Sequence, residues 1–171
     1  MTAPVLDACC GSRMMWFDKR NPHAVYCDAR EGTWRVMDRG VEREVSVAPD
    51  VVCDFKTLPF EDGAFALAVF DPPHLLRAGS GYLRAKYGVL PERWEDEVRR
   101  GVRECMRVLR HEGVLVVKWS ECHVTLPQLL AAIEWEPLFG TRSGRKGTTH
   151  WLCLMAGVSR RREHVQEAMA L

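Results

Sequence analysis

Four short apolar runs fill the first 70 residues: 5–8 around Asp7, 24–27 before Asp28, 50–53 before Asp54, and 65–70 before Asp71. They are continuously apolar rather than alternating, the pattern of parallel strands covered on both faces. Ligands of an open parallel sheet lie beyond the carboxyl ends of its strands. The pattern therefore predicts a single rim on which all four acids gather. Residues 14–17 are expected to form one or two helical turns, stopped before Pro22. Residues 34–47 are charged and partly alternating, which suggests a hairpin or loose excursion, and 75–93 reads as a polar, glycine-containing excursion.

The second half carries the clearest helix. Trp94, Val98, Val102, Cys105, Met106 and Leu109 share one face at the 3.6-residue period. Glu95, Arg99, Arg100, Arg103, Arg107 and Arg110 form the remainder, read as a solvated surface rather than a nucleic-acid stripe. Pro91 opens this helix and Gly113 closes it. Residues 114–117 are a fifth strand leading to Lys118, and 126–133 a helix with Pro127 in its first turn. Late strands at 135–139 and 149–155 flank a glycine-rich loop, 140–147, with Arg142, Arg145 and Lys146 at its centre. The first of these late strands is expected to be parallel, which would put the loop on the same rim. The expected fold is α/β: Rossmann-like and doubly wound, with a mostly parallel seven-stranded sheet and an antiparallel last strand. It occupies residues 1–156 as one domain, followed by a polar tail at 157–171.

Composition narrows the classes. A chain of 171 residues forms one domain that buries about two-thirds of its unfolded surface. Its 47% apolar and 27% charged content is that of a globular protein. No stretch approaches the roughly 20 apolar residues that span a bilayer. Residues 1–7 lack a basic region followed by an apolar stretch, so no secretory leader and a cytoplasmic location are expected. Seven cysteines, without a CxxC pair, indicate neither a disulfide framework nor a zinc site. A net charge of +1 gives no global attraction to nucleic acid, so a polyanion site would have to come from local patches.

Candidate chemistry centres on Asp71-Pro72-Pro73-His74, directly after the fourth run. A strand ending in an acid and two prolines brings a carboxylate and a rigid turn to one place. An acceptor side chain beside an acceptor carbonyl suits a ligand bearing NH2, and His74 would lie where a flat ring could stack. An ordinary turn would use the same residue types. The first loop, Asp7-Ala8-Cys9-Cys10-Gly11-Ser12, lets backbone approach a ligand closely. It lacks GxGxxG and a phosphate-binding Lys-Ser/Thr, so a nucleoside ligand without phosphate fits better than a dinucleotide. Asp28 could accept from ribose hydroxyls, and Asp54 with Phe55 could hold a nucleobase.

With these segments the chain resembles the class I S-adenosylmethionine-dependent methyltransferases, in particular the branch that methylates amino nitrogens and its small phage or bacterial type. Residues 5–11 are similar to the family's first cofactor motif. Residues 52–54, with 58–62 and Phe65, are similar to its adenine-site segment. Residues 71–74 resemble its Asp/Asn-Pro-Pro-aromatic motif, and 107–118 the entry to its fifth strand. His74 departs from the commoner Tyr, Phe or Trp, and Ser12 and Met14 stand where further glycine is usual. The resemblance implies S-adenosylmethionine as cofactor, held by Asp7, Ala8, Cys9, Cys10, Gly11, Asp28, Asp54 and Phe55. It implies Asp71, Pro72, Pro73 and His74 as catalytic residues acting on adenine N6 or cytosine N4. A DNA or RNA substrate would be met by loops 75–93 and 140–147, the first offering Arg77, Tyr82, Arg84, Lys86 and Tyr87. Two other readings stay open: a cofactor-binding but inactive interaction module, and a Rossmann-like nucleotide-binding protein without methyl transfer.

Overall fold

The apolar runs of the first half become short strands that end at or beside an acid, and at Asp7 and Asp28 the acid is itself buried. The computed structural model describes residues 3–79, 81–144 and 147–161. In chain order these form β1 (Val5–Asp7), β2 (Ala24–Asp28), β3 (Gly32–Asp38), β4 (Val41–Val47), β5 (Val51–Val52), β6 (Phe65–Phe70), α1 (Tyr82–Tyr87), α2 (Trp94–Val108), β7 (Leu109–Ser120), α3 (Leu126–Ala132), β8 (Phe139–Ser143) and β9 (Thr149–Met155). Seven strands make one sheet in the order β5-β2-β1-β6-β7-β9-β8. β5, β2, β1, β6 and β7 pair in parallel, whereas β9 runs antiparallel to both β7 and β8. The expected Rossmann-like sheet with an antiparallel last strand is thus the observed one. β3 and β4 pair with each other as a separate hairpin between β2 and β5.

α2 forms where the periodicity predicts. Val98, Val102 and Cys105 are wholly buried, each aliphatic side chain contributing about 1.5–3 kcal/mol relative to exposure. Glu95, Asp96 and Glu97 lie in its first turn and Arg107 in its last, complementing the helix dipole. The arginine face is not simply solvated. Arg99 donates to the Ala132 carbonyl, Arg103 pairs with Glu134, and Arg107 reaches Glu104, Asp62 and the carbonyls of Leu58 and Phe60. α2 also lies very close to the sheet at Gly101, where a Cβ would come within 2.5 Å of Phe70.

Several expectations are corrected. Residues 14–17 are turns, not helix, because Arg13 adopts a left-handed φ of 52° and its side chain ties the loop elsewhere. Its guanidinium donates to the carbonyls of Lys19 and Ala48 and to Asp50, and lies 3.7 Å from the Tyr26 ring centroid. Gly113 does not close α2. The helix ends at Val108, Leu109 is already extended, and Gly113 lies within β7 beyond an irregularity in its pairing with β6. The excursion 75–93 contains α1. The first late strand is Phe139–Ser143 rather than 135–139, so it takes up half of the expected glycine-rich loop.

Coverage of the sheet is also one-sided. α2 and α3 pack together, with Leu6, Ala68, Phe70, Leu115, Val117, Trp119, Leu152 and Leu154 buried in the core beneath them. On the other face Leu67, Val69, Val114, Val116, Cys153 and Met155 are only half-buried, and no helix among the described residues packs there. The loop after β1 covers part of it, with Trp16 edge-on to the buried Tyr26. No helix among the described residues is long and apolar enough to cross a membrane. Ser159 to Arg161 return to the sheet margin, where Arg161 bridges Trp135, and the rest of the expected tail lies outside the described residues.

Candidate active site

The strand order reverses direction between β1 and β6, and the crevice at their carboxyl ends is where the candidate residues meet. A cavity of about 240 Å³ opens there. Its walls come from four chain segments: Cys9, Cys10, Gly11, Ser12, Met14 and Met15 after β1; Asp28, Ala29 and Arg30 after β2; Phe55 after β5; and Asp71, Pro72, Pro73 and His74 after β6. Lys86, Tyr87, Gly88 and Val89 form a roof at the end of α1. The loop after β1 and the Asp-Pro-Pro-His segment therefore share one hollow.

Each expected residue has a definite place. Gly11 takes a left-handed φ of 51°, and a Cβ there would meet nothing nearer than 4.0 Å, so the loop turns tightly while leaving space in front of it. Its N–H donates to Asp28 Oδ2 at 2.9 Å, tying the first loop to the tip of β2. Ala8 is wholly buried behind the loop. Asp7 is also wholly buried, below the cavity rather than on its wall, and accepts from Trp16 Nε1 at 2.7 Å and from the Cys9 N–H at 3.3 Å. Burial pushes its carboxyl up to about 7; those two bonds pull it back, and the charges of Asp71 and Asp28 add to the rise. Burial pushes the Cys10 thiol up to about 12 and raises Cys9 as well, so both act as small uncharged walls.

Asp54 is the member that does not join. Its carboxylate accepts from the Lys56 N–H and pairs with Lys56 Nζ at 3.3 Å, and only its neighbour Phe55 reaches the cavity. β5 is the outermost strand on that side, so its acid stands on the rim but to one side of the hollow. Three of the four strand-end acids, Asp7, Asp28 and Asp71, do converge.

At the Asp-Pro-Pro-His segment, Asp71 Oδ2 accepts from Lys118 Nζ at 2.5 Å. Strand register explains the pair: Phe70 stands opposite Val117, so the next residues, Asp71 and Lys118, face each other. Pro72 is buried. His74 is 7% exposed, its ring centroid 5.3 Å from that of Tyr87 at 52°. Its Nδ1 is buried without a hydrogen-bond partner among the described residues, and burial lowers its pKa, leaving a neutral ring. The open stacking platform expected of His74 is thus roofed by Tyr87.

Four further residues bear on the site without a sequence motif to mark them: Arg30 and Lys86 line the cavity, while Trp16 and Lys118 stand outside its lining and bond to Asp7 and Asp71. Arg30 Nε and NH2 reach the two oxygens of Asp28 at 3.1 and 3.4 Å, its N–H donates to Oδ1 at 2.9 Å, and NH1 donates to the Ala85 carbonyl of α1 at 2.9 Å. Lys86 Nζ lies between the rings of Tyr82 and Tyr87, 5.3 and 5.0 Å from their centroids. The sequence signal for Arg30 and Lys118 is position, within three residues of an apolar run's end.

The two outer loops differ. Leu76, Arg77, Ala78, Gly79, Arg84 and Val89 border an open depression of about 520 Å³ beside the cavity. In 140–147, Arg142 is an exposed residue of β8, while Arg145 and Lys146 lie outside the described residues. Pairing of Thr149 with both Ser120 and Ser143 puts this turn at the carboxyl end of β7, on the rim. Among the described residues no three His, Cys, Asp or Glu side chains gather as metal ligands.

No protein-family model matches the chain, and no curated protein sequence does. Solved structures do. The PH0226 protein of Pyrococcus horikoshii OT3 superposes with a TM-score of 0.55 at 15% identity, over 92% of this chain and 81% of that one. The likeness is one of fold. A SAM-dependent methyltransferase of Methanosarcina mazei aligns over 89% of this chain and 91% of its own, with a TM-score of 0.49 and 13% identity. A geranyl diphosphate methyltransferase in complex with GPP and sinefungin aligns over 89% and 70%, at 0.48 and 12%.

Proposed function

We propose that this protein transfers a methyl group from S-adenosylmethionine to an exocyclic amino nitrogen, adenine N6 or cytosine N4, of DNA or RNA. The observation that carries the reading is the shared cavity: Asp71 and Pro72 line the same hollow as Gly11, Asp28 and Phe55. The residues suit the cofactor. A glycine turn with open space before it, a strand-end carboxylate and an aromatic wall match its amino-acid, ribose and adenine parts. Asp28 would exchange Arg30 for the ribose hydroxyls. When bound there, S-adenosylmethionine would supply an electrophilic methyl group carried on a sulfonium sulfur; its exchange for one N–H proton of the amine, released to solvent, would leave S-adenosylhomocysteine and the methylamino base.

The chain's own part is positioning. A ring-bound NH2 is a weak nucleophile because its lone pair is delocalised. N–H bonds to the Asp71 carboxylate and the Pro72 carbonyl would favour a pyramidal nitrogen with its lone pair turned away from the protein. Holding the reacting atoms in line then supplies much of the acceleration. The neutral His74 ring, with its unpartnered Nδ1, would meet the base once Tyr87 moves aside. A base within a duplex has to be extruded to reach this pocket. Arg77 and Arg84 beside the cavity suit backbone phosphates.

Incubation with labelled methyl donor and mixed DNA and RNA, followed by nucleoside analysis, tests the reading. The expected result is an amino-methylated base. Asp71→Ala is expected to lower transfer by at least about a hundredfold, as loss of a positioned transition-state partner does, while the donor still binds. Label on a ring carbon, or transfer surviving that substitution, defeats the assignment. A second reading draws support from the roof over His74 and the small cavity: a cofactor-binding module without turnover. Donor binding with no transfer to any nucleic acid would favour it.

A further inference from the structure

We propose that Lys118 selects the class of acceptor, as a positioning residue that fits the Asp71 end of the cavity to an uncharged, planar NH2 group and excludes alkylammonium groups. The proposal rests on the transfer reading above and deepens it. Lys118 is on β7, Asp71 follows β6, and their side chains are 20% and 17% exposed, so the pair is largely shielded from water. Lys118 takes Oδ2, and among the described residues no donor reaches Oδ1. One carboxylate oxygen remains, and beside it the Pro72 carbonyl, which the His74 ring also approaches but which has two lone pairs: two acceptors for the two N–H bonds of a planar amine.

Charge makes the same selection. An unpaired Asp71 would attract cations, and an alkylamine at neutral pH is a cation whose lone pair carries a proton. With Lys118 in place, an ammonium has to share one carboxylate with a second ammonium. Neighbouring cations reinforce this: Arg30 already occupies Asp28, and Lys86 lines the roof between two tyrosine rings. Asp7 lies below the cavity wall, bonded to Trp16, and offers no free carboxylate there. Lys118 Nζ also lies 5.9 Å from the centroid of Trp151, its partner across the β7–β9 register, which braces the side chain toward Asp71.

Lys118→Met and Lys118→Arg separate charge from shape. Each protein, saturated with S-adenosylhomocysteine, is titrated with butylammonium by calorimetry, and transfer to adenine- and cytosine-containing single-stranded oligonucleotides is compared with transfer to butylamine. Lys118→Met is expected to bind butylammonium at least about tenfold more tightly than wild type, the scale of removing a like charge from a contact. Its preference for bases over butylamine is expected to fall by a similar factor, with S-adenosylhomocysteine affinity unchanged. Lys118→Arg is expected to behave as wild type in both measurements. The proposal is overturned if Lys118→Met gains no butylammonium affinity, if Lys118→Arg gains as much, or if wild type methylates butylamine as readily as a base. Wild type that modifies no base while the butylammonium contrast holds would overturn the transfer reading and leave charge selection by Lys118 standing.

Discussion

Asp7 ends its strand inside the protein, and burial pushes its carboxyl from 3.8 up to about 7. An unfolded chain would release this proton near pH 4, and the folded chain only near pH 7. Between those values the folded state holds more protons, so this group's contribution to stability is present below pH 4 and lost as pH rises to 7. Glu134 acts in a different window. Its bond from Arg103 pulls its carboxyl down to about 2, against burial and with help from Arg161, so its contribution is lost as pH falls from 4.5 to 2. Asp7→Asn is expected to flatten the pH dependence of the melting temperature between 4 and 7. It also lowers the melting temperature overall, because an amide has one acceptor oxygen for the two donors, Trp16 and Cys9. Thermal melts across that range check both effects, and an unchanged slope would remove Asp7 as its source. The acid was visible in the sequence as a strand end. Trp16 as its partner was not, because nothing local links a residue nine positions on to a carboxylate below it.

At the scale of elements, α1 is the part that pattern reading missed. Six residues opened by Gly81, with no side-chain cap bond and no buried residue, are too short to be stable alone. Tertiary contacts hold them: the β3–β4 hairpin beside them and the Arg30 bond to Ala85. Arg30 therefore links the roof to Asp28, the carboxylate that the donor's ribose would need. Arg30→Met is expected to speed hydrogen exchange at 82–88, with S-adenosylhomocysteine affinity no weaker than wild type because Asp28 loses a competing cation and keeps only backbone donors. Unchanged exchange there would show that the hairpin alone holds α1. α2, by contrast, was legible residue by residue, since its 3.6 period records a single buried face. Its end was not. Gly113 looks like a helix stop, but the chain had already turned into β7.

For the whole molecule the sheet has two unlike faces. Leu115, under α2, is wholly buried, while Leu67 on the opposite face is half-buried. Leu115→Ala is expected to cost about 2–5 kcal/mol through lost burial and a cavity. Leu67→Ala is expected to cost only about 1 kcal/mol. Denaturant unfolding measures both, and equal costs would show that something covers the second face in solution. Continuous apolar runs predicted cover on both sides. The discrepancy arises because the segments that follow β1 and β2 form a tied loop and a hairpin instead of helices.

By itself the sequence determined what depends on near neighbours along the chain. Apolar runs gave the strands, an acid at the end of each run gave the rim, the 3.6 period gave α2, and Asp71-Pro72 marked the end of β6. Only the tertiary structure decided which distant residues meet. It put Lys118 opposite Asp71, Arg30 on Asp28 and Tyr87 over His74, and it left Asp54 outside the cavity. Periodicity encodes how deeply a residue is buried, whereas partnership across strands depends on register and on where a crossing segment lands, which no local pattern carries.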